Sequence, residues 1–242
     1  MARWRAVKLR GGIVASSVVF EEQVEIPLDL RSLCEFRRWA LSDAYPERGR
    51  IDYLAGRIEV DMSPEDFFCH GTLKVELIRV LSQRVKDTGS GHLVSDRTRV
   101  SCPEADLSAE PDIVFVSDEA LAAGRARLVA AATGAPSGPP GRYVELEGAP
   151  DLVVEIVSDR SEAKDTRRLP EAYFRAGVRE LWLADARGEQ IVFLIHRRGE
   201  AGFVPVQSDS EGFQRSAVFG CGLRIDGRRD AQGHWTFDLR QR

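Results

Sequence analysis

The chain has 242 residues, of which 43% are apolar, 34 are basic and 38 are acidic. This is the composition of a globular protein of one to two typical domain lengths, long enough to bury its own core. The net charge of −4 argues against strong, sequence-independent binding of duplex DNA, because proteins that wrap DNA are usually basic, but it does not exclude a nuclease with an acidic metal site.

Apolar runs and cysteine spacing bear on the cellular location. The longest apolar runs have five residues, which excludes a membrane-spanning helix of about 18 to 20 residues. In the basic first 20 residues serines interrupt the apolar stretch, and glutamates follow it, so we expect no signal peptide. No cysteine belongs to a CxxC pair or to a zinc-binding spacing. We therefore expect a cytoplasmic protein with four reduced thiols, at Cys34, Cys69, Cys102 and Cys221.

The first elements along the chain are a short strand and a helix. The strand is expected at residues 24–27. Asp29 can cap a helix over residues 33–40, because its side chain can accept a hydrogen bond from a free N–H of the first turn. Pro46 and Gly49 are expected to end that helix.

A hairpin and a longer helix follow. Residues 51–54 and 57–60 flank the turn dipeptide Ala55-Gly56, which predicts a β-hairpin. Ser63 precedes Pro64 and Glu65 and is expected to cap the next helix. Apolar residues recur at helical spacing between residues 73 and 85.

The middle of the chain predicts strands and one loop. Gly89 is expected to end the helix, and the alternating pattern at 92–100 predicts a strand. Short apolar runs at 113–116 and 151–157 predict two further strands. Between them, residues 130–141 are rich in alanine, glycine and proline, so we expect a flexible surface loop.

The last part of the chain predicts one helix and several strands. The helix covers residues 162–176 and ends at Gly177, and Pro170 should kink it or split it in two. Strands are expected at 181–184, 190–196 and 203–206, with two weaker strands after them. This alternation predicts a mixed sheet with helices against it, in the α/β (α+β-like) class. We expect an N-terminal extension at 1–24 and a single domain at 25–242.

Two acids stand out because they lie within or beside apolar strands. Glu155 is flanked by four β-branched residues, and strand alternation places it on the same face as Val153 and Val157. Asp112 begins another strand. If adjacent strands bring the two carboxylates together, a divalent cation would relieve their repulsion. The alternative is structural, with Glu155 paired to an arginine and Asp112 capping a turn.

The acids belong to blocks of sequence that occur in a recognisable order. The blocks are GRIDYLAG at 49–56, MSP at 62–64 with His70 after it, PDIVFV at 111–116, PDLVVEIVS at 150–158 and FRAGVRELWLAD at 174–185. Over residues 25–200 this set resembles the Uma-two (Uma2) family of restriction-endonuclease-like proteins, within the PD-(D/E)xK nuclease superfamily.

The resemblance implies a fold and a chemistry. It implies a PD-(D/E)xK restriction-endonuclease-like core with flanking helices. It also implies that Asp112 and Glu155 hold Mg²⁺ or Mn²⁺ and that the protein hydrolyses phosphodiester bonds in DNA. A bound metal would activate a water and neutralise phosphoryl charge, and a lysine would orient that water or neutralise developing charge.

The lysine departs from the expected pattern. The superfamily places it two residues after the second acid, where this chain has Val157, and the Uma-two family often places it four residues before a tyrosine. Tyr173 matches that tyrosine, but Leu169 stands at the lysine position. Lys164 resembles a variant of the family and is our first candidate, with Arg168 as the substitute. A solvated helix end explains both cations equally well.

Two more residues match family positions. Asp52 stands where the family usually has glutamate, one methylene longer, and its alternative role is a hydrogen bond within the hairpin. His70 lies on the apolar stripe of its helix, where a histidine is usually a core residue. Its functional alternative is a second-shell ligand or a phosphate contact near Asp52.

Two functions from different classes therefore remain. The first is a divalent-metal-dependent endonuclease acting on DNA, with Asp112, Glu155, Lys164, Asp52 and His70 in its site. The second is a catalytically degenerate binding or assembly module of the same fold, because Val157 and Leu169 replace expected lysines. Apolar positions in the N-terminal extension and after residue 190 also suggest a homodimer.

Overall fold

In the computed structural model, the described residues are 3–8, 14–19, 24–46, 49–130 and 143–242. Except for Ala130, the loop expected at 130–141 lies outside these residues, so its flexibility stays a prediction. The boundary between an extension at 1–24 and a domain at 25–242 also stays a prediction. Within the described ranges, no helix is long and apolar enough to cross a membrane.

The described residues form four α-helices, two π-helical turns and 18 strands. The helices are α1 (Leu33–Ala40), α2 (Leu73–Thr88), α3 (Asp118–Ala122) and α4 (Leu169–Ala176), and the π-helical turns are Phe67–Thr72 and Lys164–Arg168. The strands are β1 (Arg3–Lys8), β2 (Val14–Val19), β3 (Glu25–Pro27), β4 (Arg50–Leu54), β5 (Arg57–Asp61), β6 (Gly91–Ser95), β7 (Arg99–Cys102), β8 (Leu107–Ala109), β9 (Ile113–Ser117), β10 (Ala126–Ala130), β11 (Tyr143–Gly148), β12 (Leu152–Ile156), β13 (Glu180–Asp185), β14 (Val192–Arg198), β15 (Phe203–Pro205), β16 (Gln214–Arg215), β17 (Gly222–Arg229) and β18 (Trp235–Gln241).

Two six-stranded sheets carry most of these strands. The first sheet has the order β10-β11-β7-β8-β4-β5, and the second has the order β15-β14-β13-β12-β9-β6. In the second sheet, β12 pairs parallel with β13 and antiparallel with β9. The sheet is therefore mixed, as expected. Two three-stranded sheets, β1-β2-β3 and β16-β17-β18, complete the fold.

The central strands β9 and β12 of the second sheet are buried on both faces, and their side chains are apolar in both directions. On one face, Val154 and Ile156 pack in a core with residues of α2, β17 and β18. On the other face, Val153 packs against Tyr173 of α4 and Leu107 of the first sheet. Strand alternation places Glu155 on the same side as Val153, so an acid lies inside the fold between the second sheet and α4.

Several local predictions are confirmed. The hairpin forms from β4 and β5, and both turn residues, Ala55 and Gly56, have positive φ, as a tight two-residue turn requires. Gly89 and Gly177 end their helices in the left-handed conformation. The helix expected at 162–176 forms, and its π-helical turn ends at Arg168, two residues before Pro170, the residue expected to disturb it.

The helix caps differ from the prediction. Ser32 rather than Asp29 caps α1, accepting a hydrogen bond from the N–H of Glu35, and the helix ends at Ala40, before Pro46 and Gly49. Asp66 rather than Ser63 caps the next helical segment, because its carboxylate accepts two free backbone N–H groups of the first turn. In both cases the preferred cap lies closer to the first helical residue.

The strand expected at 92–100 is wrong as a single element. It divides into β6 and β7, which belong to different sheets. Asp96 and Arg97 lie between them with φ values of 40° and 57°, which turn the chain from one sheet to the other. Three strands, not two, follow β15, because β16 adds a short pairing to the β17–β18 hairpin.

A buried aspartate ties three segments of the fold together. One oxygen of Asp151 accepts the N–H of Ser117 at 2.8 Å, and the other accepts Arg125 at 3.0 Å and Arg179 at 3.1 Å. Burial alone would raise the pKa of Asp151, but the hydrogen bonds from Ser117, Arg125 and Arg179 outweigh it and lower that pKa below its ordinary value.

We predict that Asp151→Asn destabilises the protein at pH 7 by about 1 to 3 kcal/mol, because the amide loses charge-assisted hydrogen bonds. A lowered folded-state pKa gives stability that is present above the unfolded-state pKa and is lost as pH falls through the folded-state pKa. The difference between wild type and variant should therefore shrink below about pH 4. Urea unfolding between pH 7 and pH 3 measures it. Asp159→Asn, at an exposed site, is the control, and a difference independent of pH would contradict this role of the charge.

Candidate active site

One acid of β4, one acid of β12 and the acid that directly precedes β9 meet at one arginine of β4. Arg50 Nη2 lies 3.0 Å from Glu155 Oε2, and Arg50 Nη1 lies 3.6 Å from Asp112 Oδ1. Arg50 Nε lies 3.6 Å from Asp52 Oδ2. Because these three nitrogens belong to one planar guanidinium group, the three carboxylates converge on one point of positive charge.

The pairing of β9 and β12 explains why Asp112 and Glu155 are neighbours. Asp112 directly precedes β9, and its Oδ2 accepts the backbone N–H of Ile156 at 2.7 Å. That hydrogen bond fixes Asp112 beside the residue that follows Glu155. The two acids that are 43 positions apart in the printed sequence are thus held together by the backbone of β12.

Glu155 is fully buried and has two partners. Its Oε1 accepts the hydroxyl hydrogen of Tyr173 at 2.6 Å, and its Oε2 contacts Arg50. Burial raises the pKa of Glu155 to about 8, against the opposing charge of Arg50, and the negative charges of Asp112 and Asp165 add to the increase. Because this pKa is above neutral pH even with Arg50 in contact, Glu155 loses its proton at neutral pH when further positive charge comes close.

The pKa of Asp112 is shifted in the opposite direction to that of Glu155. Burial would raise the pKa of Asp112, but the adjacent imidazole of His70 and the positive charges of Arg50 and Lys74 outweigh burial and hold that pKa below its ordinary value. Asp112 is therefore an ionised carboxylate at neutral pH, whereas the pKa of Glu155 beside it is close enough to neutral pH for both of its protonation states to be populated.

Lys164 lies inside the site. Its Nζ donates to Asp52 Oδ2 at 2.9 Å, and its side chain is 7% exposed. Burial lowers the pKa of Lys164, but the charge of Asp52 outweighs burial and raises it, so the ammonium stays protonated. The interpretation of Lys164 as a solvated helix end is therefore wrong. It does describe Arg168, which is half-exposed and pairs with Glu59 on the surface.

The two positions that lack the expected lysine are filled by apolar side chains. Val157 is buried and donates its N–H to the carbonyl of Ala184 at 2.8 Å. Leu169 is buried in the core between α4 and the first sheet. Among these positions, only Lys164 brings an ammonium group to the carboxylates.

His70 and a cleft lie on the other side of Asp112. His70 Nε2 is 3.3 Å from Asp112 Oδ1 and 3.4 Å from Glu65 Oε1. These side chains line a cleft of about 340 Å³ that also borders Arg50 and Asp96. The structure thus brings Asp52, His70, Asp112, Glu155 and Lys164 into one region, the set that the sequence singled out.

Sequence reasoning missed four participants. Arg50 is two residues before Asp52 in β4, so strand alternation could have placed both on one face. Tyr173 served only as a marker of the family pattern, yet it contacts Glu155. Glu65 and Lys74 flank His70 in the chain, and Lys74 Nζ lies 2.9 Å from Glu65 and 3.4 Å from Asp112. No periodicity in the sequence identifies Glu65 or Lys74 as part of the site.

Comparison with known proteins agrees with this geometry. The family model of Uma2, described as "Putative restriction endonuclease", matches residues 33–227. The chain belongs to the Uma2 family. A solved structure of a "putative nuclease belonging to DUF820" from Anabaena variabilis is similar, with a TM-score of 0.55 and 17% sequence identity, covering 78% of this chain and 90% of that one. No curated protein matches this chain in sequence.

These comparisons confirm two predictions. The resemblance to the Uma2 family is confirmed over most of the chain. The restriction-endonuclease-like fold is confirmed by the solved neighbour, which at this level of identity bears on the fold alone.

Arg50 should be required for stability, because it compensates three buried carboxylates. We predict that Arg50→Met lowers the free energy of unfolding by about 3 to 5 kcal/mol, the range for breaking a buried ion pair from one side. Adding Glu155→Gln to Arg50→Met should recover part of the loss, since one carboxylate is then neutral.

Urea unfolding of the two single variants and the double variant measures this coupling. Arg168→Met is the matched control, because its pair with Glu59 is on the surface and should be worth less than about 1 kcal/mol. Equal, small losses in Arg50→Met and Arg168→Met would contradict the central position of Arg50.

Proposed function

We propose that this protein is a divalent-metal-dependent endonuclease that hydrolyses phosphodiester bonds in DNA. The observation that carries the proposal is the convergence of Asp52, Asp112 and Glu155 on one cation, with Lys164 beside them. Fixed carboxylates from neighbouring elements and an adjacent ammonium group are the parts that phosphodiester hydrolysis needs.

The residues fit a divalent metal. Asp112 and Glu155 offer hard carboxylate oxygens, which Mg²⁺ and Mn²⁺ prefer, and few protein ligands suffice because these ions keep waters and bind phosphate oxygens. Asp112 is held in place by Ile156 and Glu155 by Tyr173. A doubly charged ion would supply these acids with more compensation than the single charge of Arg50. We therefore assign Asp112 and Glu155 as the metal ligands.

The other roles in the proposed hydrolysis belong to Lys164, Asp52 and Arg50. A bound metal would activate a water and neutralise charge on the scissile phosphate. Lys164 is protonated, so its role is to orient the water or to donate to an oxygen on which charge develops, rather than to accept a proton. Asp52 positions that ammonium group. Arg50 can offer two parallel N–H groups to a phosphate when it no longer contacts the acids.

Cationic side chains support a nucleic-acid substrate. Arg50 and Arg97 border the cleft next to Asp112, and Arg160 and Arg187 border the neighbouring cleft next to His70. Guanidinium groups beside an acidic site can contact the flanking phosphates of a strand without a basic protein overall. This supports a nucleic acid as the substrate, and the choice of DNA follows the family description "Putative restriction endonuclease".

We predict that Asp112→Asn and Glu155→Gln each lower Mg²⁺- or Mn²⁺-dependent cleavage of DNA by about 100-fold or more, because each removes a metal ligand. Supercoiled plasmid, single-stranded DNA and RNA of the same sequence are the substrates, and EDTA should abolish cleavage. Asp87→Asn, at an exposed position of α2, is the matched control. Cleavage that survives in both site variants would overturn the site.

Lys164 should matter for catalysis and Arg168 should not. We predict that Lys164→Met lowers kcat by about 100-fold, the range for loss of one charged group at a reacting phosphate, with a much smaller change in KM. Lys164→Arg should retain part of the rate, because the charge persists. Arg168→Met is the control, and a larger effect in it than in Lys164→Met would assign the role to Arg168 instead.

The second candidate is a catalytically degenerate binding or assembly module. The observation that favours it is the single arginine that already compensates three acids, together with the apolar Val157 where a lysine is expected. This function predicts a folded protein that cleaves none of the three substrates with any divalent ion. The same cleavage assay therefore separates the two candidates.

A homodimer also remains part of the proposal. Val192 and Leu194 of β14 and Val204 of the edge strand β15 are exposed, which supports the expectation of uncovered apolar positions after residue 190. Exposed apolar side chains on an edge are a typical pairing surface. A mass of one chain by light scattering at micromolar concentration would contradict this arrangement.

A further inference from the structure

A second group of ligand atoms lies on the cleft side of Asp112. Glu65, His70 and Asp112 each offer one ligand atom, and these three atoms all lie within 4.8 Å of one another. Glu65 and His70 contact neither Glu155 nor Asp52 in any described hydrogen bond or ion pair. The group therefore shares Asp112 with the proposed Asp112–Glu155 position but approaches it from another side.

His70 is the observation that points to a ligand. Its side chain is 5% exposed, and among the described residues neither ring nitrogen has a hydrogen-bond partner. A buried imidazole without partners is costly, and most such groups in proteins bind a water, an ion or a substrate. Nε2 lies within 3.4 Å of a carboxylate oxygen of Glu65 and of one of Asp112 without an aligned hydrogen bond to either.

The distances fit an ion at that point. Ligand atoms that are each about 2.1 Å from one metal ion lie about 3.0 to 3.4 Å apart in octahedral or tetrahedral geometry. His70 Nε2 is 3.3 Å from Asp112 Oδ1 and 3.4 Å from Glu65 Oε1. These two contacts are long for hydrogen bonds but have the length of an edge between two ligands of one ion. The same two oxygens also contact Lys74 Nζ, at 3.4 Å from Asp112 and 2.9 Å from Glu65, so a bound ion would displace that ammonium group.

The local backbone is arranged to hold His70 there. The π-helical turn Phe67–Thr72 places His70 on the inner side, and Asp66 fixes its start by accepting the N–H groups of Phe68 and Cys69. Such turns occur most often at functional sites. Glu65 precedes this turn, and its side chain is 53% exposed, so the third ligand closes the site from the solvent side.

We infer that Glu65, His70 and Asp112 form a second metal site, which takes a transition-metal dication such as Mn²⁺ or Zn²⁺ in preference to Mg²⁺. The imidazole decides the preference, because Mg²⁺ selects oxygen ligands whereas Zn²⁺ binds nitrogen readily. Three protein ligands leave room for water or a phosphate oxygen. The inference of this site does not depend on whether the chain cleaves DNA. If the proposed function is also correct, the protein binds a second ion beside the one held by Asp112 and Glu155.

Metal binding to the full chain tests the inference without an activity assay. Titration with Mn²⁺ followed by electron paramagnetic resonance, and with Zn²⁺ followed by calorimetry, should show a site that His70→Gln and Glu65→Gln each weaken by about tenfold or more. Glu155→Gln should leave this site in place, and so should the control His92→Gln, whose side chain is exposed. Mg²⁺ should compete weakly.

A measurement on the unmodified protein covers the case in which a variant fails to fold. Mn²⁺ at substoichiometric concentration should broaden the ring signals of one buried histidine in the NMR spectrum, and Zn²⁺ should shift its ring nitrogen. Unchanged Mn²⁺ binding in His70→Gln would overturn the inference. So would equal loss of binding in His70→Gln and Glu155→Gln, because a single ion at Asp112–Glu155 would then explain both. Loss of DNA cleavage with this metal site intact would instead count against the proposed function alone.

Discussion

Three carboxylates that share the guanidinium group of Arg50 are the central constraint of this fold. A carboxylate in the protein interior costs several kcal/mol unless it is paired. One such carboxylate lies in β4, one in β12 and one directly before β9. The planar group of arginine presents several donors in fixed directions, so one side chain can serve Asp52, Asp112 and Glu155 together. The strands that carry these residues must therefore keep their relative positions, whatever ion or substrate binds later.

The parts of the site that the sequence could predict are those set by local pattern. Apolar runs around Asp112 and Glu155 predict buried strands, and an acid within such a run requires a nearby partner or ion. Strand alternation assigns Glu155 to the face of Val153, and the structure has Val153 packed toward α4. These inferences depend only on residues that are close in the chain, and for that reason they agree with the fold. They cannot identify the residue that pairs with the acids, because that residue is distant in the chain.

The parts that the sequence could not predict depend on distant contacts. The run at 92–100 alternates as one strand would, yet Asp96 and Arg97 turn the chain from the second sheet to the first. Where the chain leaves one sheet for the other depends on pairing with distant strands of both sheets. Arg50 shows the same limit. Its place two residues before Asp52 indicates a shared face, but nothing local indicates that the acids of two other strands end on its guanidinium group.

In the proposed function, the ammonium group comes from an element other than the strand that the superfamily pattern uses. Val157 places an apolar side chain where the superfamily pattern has the lysine, and the π-helical turn Lys164–Arg168 brings an ammonium group in from the following helix instead. Asp52, with a side chain one methylene shorter than the family's usual glutamate, contacts that ammonium at 2.9 Å. The two departures from the family pattern are therefore complementary, because the shorter acid on β4 contacts the lysine on the helix. This pair lies beside Glu155 and Asp112, because Arg50 contacts Asp52, Asp112 and Glu155 together.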